Sequence, residues 1–351
     1  GYIVVGTAYY PIGGGVWLMK LDSYGDIEWK KIFGGFGVTG RYVKETSDGG
    51  YVIATEDMRV IKTDSRGNIE WIYTPPTEGW TWGDRLVQET DDGFVVVGTT
   101  HNESGFVAAW LIKIDGDGNE IWNRTYGGSI GGNGNSVYPT RDGGFIIAGR
   151  YLAGEDGSEG RSVWLIKVDE NGNMEWSKNF GSGYVTRGLS IQQTGDGGYI
   201  VAGEREIDGD AVGWLIKTDS NGDMEWDITL GEYNCTIIYS VEETSDGGFI
   251  VTGTSGEGKF IAFDLYLIKV SRTGSVEWIQ RYGRLDYCEM GNCVRQTSDG
   301  GYIVVGCKQL LKVYTGINPR FLDIWVLKTD ENGYCTSYGI PNLIWEKLFL
   351  H

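Results

Sequence analysis

The sequence predicts an all-β fold: a seven-bladed β-propeller of four-stranded antiparallel blades, with the first blade lacking one strand in this chain. A Trp-Leu-Ile-Lys-x-Asp pattern occurs seven times, at intervals from 42 residues (Lys20 to Lys62) to 59 residues (Lys269 to Lys328). Such a period is the length of one blade. Glycine is abundant, at 57 of 351 residues, and proline is scarce, at 6. This composition is typical of many strands joined by tight turns.

Each repeat unit contains four strand-like segments, which we label a to d. Strand a is short, as in residues 240–244, and a Ser-Asp-Gly-Gly hairpin turn follows it. Strand b, as in residues 249–253, and strand c, the Trp-Leu-Ile-Lys segment, are almost wholly apolar, which predicts sheets covered on both faces. A second turn, as in residues 219–223, leads into strand d.

Strand d carries a tryptophan in every unit. We expect these side chains to fill the space between neighbouring blades, because a single blade cannot bury its own faces. The seven residues are Trp29, Trp71, Trp122, Trp176, Trp226, Trp278 and Trp345.

The repeats predict one domain over residues 1–351. The units are approximately 1–35, 36–76, 77–128, 129–182, 183–231, 232–283 and 284–351. Seven units contain strands b, c and d, but only six contain strand a, because the chain begins at Gly1 within strand b. Residues upstream, removed by processing or trimming, would supply the missing strand. Alternatively, another chain donates it by β-augmentation, producing a homo-oligomer or filament, or the blade has three strands.

The net charge of −18 excludes nucleic acid as an expected partner, because such binding requires lysine and arginine to neutralise phosphates. The sequence contains no apolar run of about 18 residues, so no membrane span is predicted.

The loops at the two ends of the predicted propeller differ in how much their sequences vary between repeat units. The a–b and c–d turns lie at one end and are nearly the same in every unit; we call this end the invariant face. The b–c and d–a loops form the other end, the variable face, and differ in length, with long b–c loops at 151–162, 255–264 and 307–323. Since binding residues usually occupy variable loops on a rigid scaffold, we expect any binding site on the variable face.

One loop on this face, residues 73–84, contains two tryptophans outside the repeat positions. Trp80 and Trp82 provide surfaces that stack on sugar rings or on a partner's side chains. The nearby candidate hydrogen-bonding residues are Glu78, Asp84 and Arg85. Alternatively, the two tryptophans pack over the blade whose own b–c loop is short.

The acidic turn at Asp115, Asp117 and Asn119 is a weak candidate for calcium. It lacks the twelve-residue spacing of a calcium loop, and equivalent turns recur in other units, which favours a structural role. An aspartate in every a–b turn predicts a ring of carboxylates on the invariant face, also structural. No other cofactor is predicted.

Four of the five cysteines are predicted to cluster on the variable face. Pairing of Thr297 with Tyr302 would bring Cys293 opposite Gly306, so we expect Cys293–Cys307 and Cys235–Cys288 disulfides, with Cys335 free. Glycosylation sequons begin at Asn102, Asn123 and Asn234. Together these features favour an extracellular or cell-surface location.

The pattern Thr-x-Asp-Gly-Gly-Tyr-Ile-Val-x-Gly followed by Trp-Leu-Ile-Lys-x-Asp-x-x-Gly-x-x-x-Trp resembles propeller repeats of archaeal and bacterial surface proteins, in a kelch-like style. That resemblance implies a surface or binding scaffold. The Asp219, Gly222 and Trp226 spacing is also similar to the tryptophan-docking motif of quinoprotein dehydrogenases. Those enzymes carry a vicinal cysteine pair and commonly eight blades, and this chain has neither.

We therefore predict a binding or structural scaffold that is not an enzyme and whose partner is a protein or a surface glycan. The alternative is a carbohydrate-active lyase or hydrolase using the variable face. The sequence contains only His101 and His351 as histidines, and no carboxylate pair stands apart from the repeat, so the catalytic alternatives have little support.

Overall fold

The protein is described from a computed structural model. The structure describes residues 1–8, 15–33, 38–76, 86–101, 107–127, 131–153, 160–231, 236–256, 263–283, 287–310 and 323–335. These residues form 26 β-strands arranged as seven antiparallel sheets. Across the same ranges, no helix has the length and apolarity needed to cross a membrane.

The first three blades are consecutive in the chain. Blade 1 contains β1 (Tyr2–Ala8), β2 (Gly15–Leu21) and β3 (Ile27–Phe33), which are its strands b, c and d. Blade 2 contains β4 (Gly40–Glu45), β5 (Tyr51–Thr55), β6 (Val60–Thr63) and β7 (Ile69–Tyr73). Blade 3 contains β8 (Leu86–Thr90), β9 (Gly93–His101), β10 (Val107–Asp115) and β11 (Glu120–Tyr126).

The remaining four blades follow the same order. Blade 4 contains β12 (Gly132–Pro139), β13 (Phe145–Ala153), β14 (Gly160–Val168) and β15 (Met174–Gly183). Blade 5 contains β16 (Arg187–Gln193), β17 (Tyr199–Ile207), β18 (Asp210–Thr218) and β19 (Met224–Leu230). Blade 6 contains β20 (Thr236–Glu243), β21 (Phe249–Gly256), β22 (Phe263–Val270) and β23 (Val276–Tyr282). Blade 7 contains β24 (Tyr287–Gln296), β25 (Tyr302–Leu310) and β26 (Asp323–Thr329).

The core is divided among the seven junctions between neighbouring blades. Each junction has its own cluster of buried apolar side chains, as the alternation of strands b and c between two covered faces requires. The ring closes between blade 7 and blade 1, where Ile303 and Val326 pack with Val4, Met19 and Leu21. The predicted seven-bladed propeller is thereby confirmed, with three described strands in the first blade and three in the last.

The d-strand tryptophan explains how one blade docks on the next. Its ring packs against the glycine of the next blade's c–d turn, where a Cβ atom would lie within about 3 Å of the ring. The pairs are Trp29 with Gly67, Trp71 with Gly118, Trp122 with Gly172, Trp176 with Gly222, Trp226 with Gly274 and Trp278 with Gly333. All six glycines have positive φ, so the turn conformation and the ring contact both require glycine.

The same tryptophans contact an aromatic residue at the start of the next blade's strand b. The ring centroids are 5.6 to 6.2 Å apart and the rings are steeply inclined, as in Trp226 with Phe249. The prediction that these tryptophans fill the gaps between blades is confirmed for the six in the described part of the chain. Trp345 lies outside it.

The strands depart from the sequence prediction in two ways. Strands b and c extend further toward the variable face than expected, so that β13 and β14 include parts of the predicted 151–162 loop. In five a strands the register with strand b shifts by one residue, for example between Gly291 and Cys293. Such β-bulges leave one residue of strand a unpaired and rotate the side chains beyond it.

Candidate functional site

The invariant face is held together by a repeated ion pair, which we call the Lys–Asp clasp. The lysine of strand c is almost fully buried and contacts the aspartate of the a–b turn, as in Lys217 with Asp196 at 3.1 Å. A glutamate of strand d is the second partner, such as Glu225 at 3.0 Å. The six clasps are Lys62–Asp48, Lys113–Asp92, Lys167–Asp142, Lys217–Asp196, Lys269–Asp246 and Lys328–Asp299. The predicted structural role of the aspartate ring is confirmed by these contacts.

Hydrogen bonds within the turn add to each clasp. Asp246 Oδ1 accepts hydrogen bonds from the Thr244 hydroxyl at 2.5 Å and the Gly248 N–H at 2.9 Å. Burial acts to raise the pKa of Asp246, but these hydrogen bonds and Lys269 outweigh it and lower the pKa to about 2. At Asp48 the hydrogen bond from Lys62 is the largest contribution, and that pKa is also about 2. The invariant face therefore uses its carboxylates to hold the turns.

The clasps predict a specific loss of stability in acid. The ordinary aspartate pKa is 3.8 and the folded value for Asp48, Asp196 and Asp246 is about 2, so the folded state binds fewer protons in this interval. The stabilisation is complete above about pH 4 and is lost as the pH falls toward 2. We expect the free energy of unfolding, measured by urea denaturation across this range, to decrease. The Asp246→Asn variant should show a shallower decrease, and equal slopes in both proteins would contradict this role.

The calcium candidate occupies a c–d turn of the invariant face. Asp115 Oδ1 accepts the backbone N–H groups of Asp117 at 3.0 Å and Asn119 at 2.8 Å, and the Asn119 side chain donates to Oδ2. Asp64, Asp169 and Asp219 make the same turn contacts in their own blades. These contacts account for the acidic turn structurally, and calcium binding there stays a prediction.

The candidate binding residues of the predicted aromatic loop lie outside the described residues. Its five candidates are Glu78, Trp80, Trp82, Asp84 and Arg85. The alternative prediction was that the two tryptophans cover blade 2, whose b–c connection is short. Met58 lies in that connection, is fully buried and packs in the cluster between blades 2 and 3.

The predicted cysteine pairing is wrong in its register. The hairpin pairs Gln296, not Thr297, with Tyr302, and this register places Cys293 opposite Val305, before the β-bulge at Gly291 to Cys293. The structure shows Cys288, Cys293 and Cys307 as thiols, without the expected Cys293–Cys307 disulfide. Cys288 does not take part in the second expected disulfide, and its expected partner Cys235 lies outside the described residues. Burial raises the pKa of the Cys307 thiol, which keeps it protonated near neutral pH.

Of the three sequons, only Asn123 lies in the described residues. Its side-chain oxygen accepts from Trp110 Nε1 at 3.3 Å, and its amide donates to Glu120 Oε1 at 2.6 Å. Glycosylation at Asn102, Asn123 and Asn234 stays a prediction.

The described part of the variable face has a feature of its own, a group of arginines where blades 4 and 5 meet. Arg150 lies in strand b and Arg161 in strand c of blade 4, whereas Arg187 begins strand a of blade 5. Arg187 Nε donates to Glu204 Oε1 at 2.6 Å. Arg150 Nη2 donates to Asn133 Oδ1 at 3.0 Å.

The third arginine contacts the connection between the two blades. Arg161 Nη1 donates to the Tyr184 carbonyl at 2.6 Å, and the Tyr184 N–H donates to Glu206 Oε2 at 2.6 Å. We call Arg150, Arg161 and Arg187 the arginine cluster. Burial, then repulsion from Arg161 and Arg187, lowers the pKa of Arg150 to about 10, while Glu204 acts in the opposite direction. Positive charge is therefore concentrated at this point of an acidic protein.

The sequence analysis did not identify the arginine cluster, although the repeat contains a signal for it. The position after the glycine of strand b is threonine in three other units: Thr7, Thr99 and Thr254. In blades 4 and 5 it is Arg150 and Glu204. Because this position carries oppositely charged residues in blades 4 and 5 and threonine in three other units, it marks a place where the sequence departs from the repeat.

Comparison with known proteins identifies the fold. No protein-family model and no curated protein matches the sequence. Among solved structures, Sqt1 from Chaetomium thermophilum has a TM-score of 0.53 at 12% identity, covering 92% of this chain and 83% of that one. Sqt1 bound to the N-terminus of the ribosomal protein L10 has a TM-score of 0.51 at 11% identity, covering 88% and 81%. The C-terminal WD40 domain of Sif2 has a TM-score of 0.44 at 11% identity, covering 82% and 86%. At these identities the likeness to Sqt1 shows the fold alone.

Proposed function

We propose that this propeller is a non-enzymatic scaffold that binds a protein partner through its variable face. The observation that carries the proposal is the difference between the two faces. On the invariant face the buried lysines and turn aspartates are engaged in clasps. On the variable face the arginine cluster departs from the repeat. The Nε atoms of Arg150 and Arg161 in this cluster have no hydrogen-bond acceptor in the described residues. Side chains that break a repeat on a rigid ring are typical of a binding surface.

The structural neighbours support a protein as the partner. Sqt1, which has the same fold, is described in complex with the N-terminus of the ribosomal protein L10. A polypeptide is therefore a reasonable ligand for a propeller of this shape. A surface glycan and a carbohydrate-active enzyme are the alternatives that the experiment must distinguish. We also propose an extracellular or cell-surface location, supported by the three sequons at Asn102, Asn123 and Asn234.

The test compares aromatic substitutions on the two faces. We expect the immobilised wild-type propeller to retain a partner protein from a cell-surface extract. The immobilised Trp80→Ala/Trp82→Ala variant should not retain this partner. The matched control is Tyr24→Ala/Tyr334→Ala, which removes exposed aromatic side chains from the invariant face and should retain the partner. Loss of the partner from the control alone would contradict the proposal. Turnover of a polysaccharide in a glycan panel, abolished by the tryptophan substitutions, would establish the enzyme instead.

A second proposal concerns assembly through blade 1. In the described residues, strand β1 pairs only with β2, so the inner edge of this blade has no strand beside it. Lys20 is the equivalent of the clasp lysines, yet no carboxylate pairs with it in those residues, and its Nζ lies 5.6 Å from the centroid of the Tyr51 ring. A donated strand that places an aspartate opposite Lys20 would supply both backbone hydrogen bonds and the carboxylate for this lysine.

Strand donation by a second copy predicts concentration-dependent association. We expect the mass measured by light scattering to rise with protein concentration. The Lys20→Met variant should associate more weakly, because it cannot pair with the incoming aspartate. A protein that stays monomeric at millimolar concentration would show that donation between copies does not occur.

A further inference from the structure

We propose that the arginine cluster is a carboxylate-binding site, which receives an acidic side chain or the C-terminal carboxylate of a partner protein. This inference rests on the proposed function, since it gives the chemistry of the partner at the variable face. It is carried by the described residues of blades 4 and 5 alone, and none of them belongs to the predicted aromatic loop.

Strand register places two of the arginines side by side. Arg150 pairs with Val163 and Arg161 pairs with Leu152, so the two arginines are diagonal neighbours on adjacent strands. Because side chains alternate along a strand, Arg150 and Arg161 lie on the same face as Val163. Diagonal neighbours have Cα atoms about 7–8 Å apart, within reach of two long side chains. That face of blade 4 continues into the apolar cluster with blade 5.

The third arginine approaches the same face from blade 5. Gly188, the residue after Arg187, lies so close to blade 4 that a Cβ atom there would be 3.2 Å from Val163 and 3.4 Å from Ala148. Strand β16 therefore begins against the face that carries Arg150 and Arg161. The Arg187 Nε is engaged by Glu204, which fixes the orientation of its guanidinium group.

The charges of the described residues favour a single negative charge as ligand. Three guanidinium groups are accompanied by two carboxylates, Glu204 and Glu206, and the latter is bound to the Tyr184 N–H. One positive charge remains, in a protein whose net charge is −18. A monovalent carboxylate balances this charge, whereas a phosphate dianion would be repelled by the buried Glu204.

Two hydrogen-bond donors also lack acceptors. The Nε atoms of Arg150 and Arg161 are buried and have no hydrogen-bond partner in the described part of the chain. A buried donor without an acceptor costs about 1–3 kcal/mol, so such groups point to a missing ligand or water. Guanidinium groups bind carboxylates through two parallel N–H donors. Both arginines are only partly buried as residues, so a carboxylate can approach their remaining donors.

The experiment uses the whole chain and a small probe. The arginine Nε–H resonances are followed by NMR while propionate is added, with inorganic phosphate as the comparison. We expect propionate to shift the Arg150 and Arg161 resonances. In the Arg150→Gln/Arg161→Gln variant the affinity for propionate should fall roughly 10-fold or more. This fall corresponds to the loss of at least one charged hydrogen bond of about 1.5 kcal/mol. The matched control is Arg205→Gln, whose guanidinium stacks on Trp214 and pairs with Asp227 in the same blade, and it should bind propionate as wild type does.

The outcomes separate this inference from the proposed function. The Arg161→Lys variant keeps the charge but loses the Nε–H, so an intermediate affinity supports two-point recognition. Phosphate binding more tightly than propionate would overturn the choice of carboxylate. Equal propionate affinity in wild type and the double glutamine variant would overturn the site. If propionate binds as expected but no protein partner is captured on the variable face, the carboxylate site stands and the scaffold function fails.

Discussion

The Phe249→Ala substitution should lower the free energy of unfolding by about 3–5 kcal/mol, the usual cost of removing a buried phenylalanine from a packed core. Phe249 begins strand b of blade 6 and is only 1% exposed. Its ring lies 5.8 Å from that of Trp226 on blade 5, and it belongs to the apolar cluster that joins these two blades. Alanine would leave a cavity at the junction between blades 5 and 6, where the Phe249 and Trp226 rings are in contact.

The measurement is urea or thermal unfolding of the purified protein. Tyr184→Ala is the matched control, because this residue is 62% exposed and its truncation should change stability by less than about 0.5 kcal/mol. Because a propeller depends on all its junctions to close the ring, we expect the loss to be seen in the cooperative transition of the whole domain. If Phe249→Ala changed the free energy of unfolding no more than the control does, the junction between blades 5 and 6 would have repacked without loss of stability.

The Gly222→Ala substitution should cost about 2–5 kcal/mol at the neighbouring junction, between blades 4 and 5. Gly222 has a φ of +77°, a conformation that costs an L-residue about 1–2 kcal/mol. Its Cβ would also lie 2.6 Å from the Trp176 ring. Since this ring is held by Tyr199 at a centroid distance of 5.9 Å, overpacking should add about 1–3 kcal/mol.

The same blade offers a control that separates these two causes. Gly197 has a φ of +91° but lies where a Cβ would meet no atom within 4 Å. Gly197→Ala therefore reports the backbone cost alone, and the difference between the two variants measures the ring contact. Equal destabilisation by both variants in urea unfolding would mean that the glycine is required by its turn and not by tryptophan docking.

The regular parts of the molecule could be predicted because they repeat. A tryptophan such as Trp226 and a turn glycine such as Gly274 recur at one position in all seven units, and an aspartate such as Asp246 recurs in six. Seven copies of one pattern define the strands, the turns and the two faces before any contact is known. The structure adds the physical reason for the pattern, since these residues meet across blades or within the clasps.

The irregular parts could not be predicted from spacing. The pairing of Cys293 was wrong because the hairpin pairs Gln296, one residue earlier than expected, with Tyr302, and a β-bulge then changes the register again beyond Cys293. Neither feature changes the apolar pattern. The variable-face strands were also underestimated, because the Gly-Arg-Ser start of β14 looks like loop residues in the sequence.

The sequence by itself determined that this protein is a ring of seven antiparallel blades, and that the ends of the ring differ. The sequence reveals this because the packing between neighbouring blades uses the same residue positions in each repeat unit. Only the tertiary structure decided which charged residues meet. Arg150, Arg161 and Arg187 come from three strands on two blades, and no interval along the chain brings them together. Their proximity depends on strand register and on the approach of β16 to blade 4, both of which are set by the packing between blades.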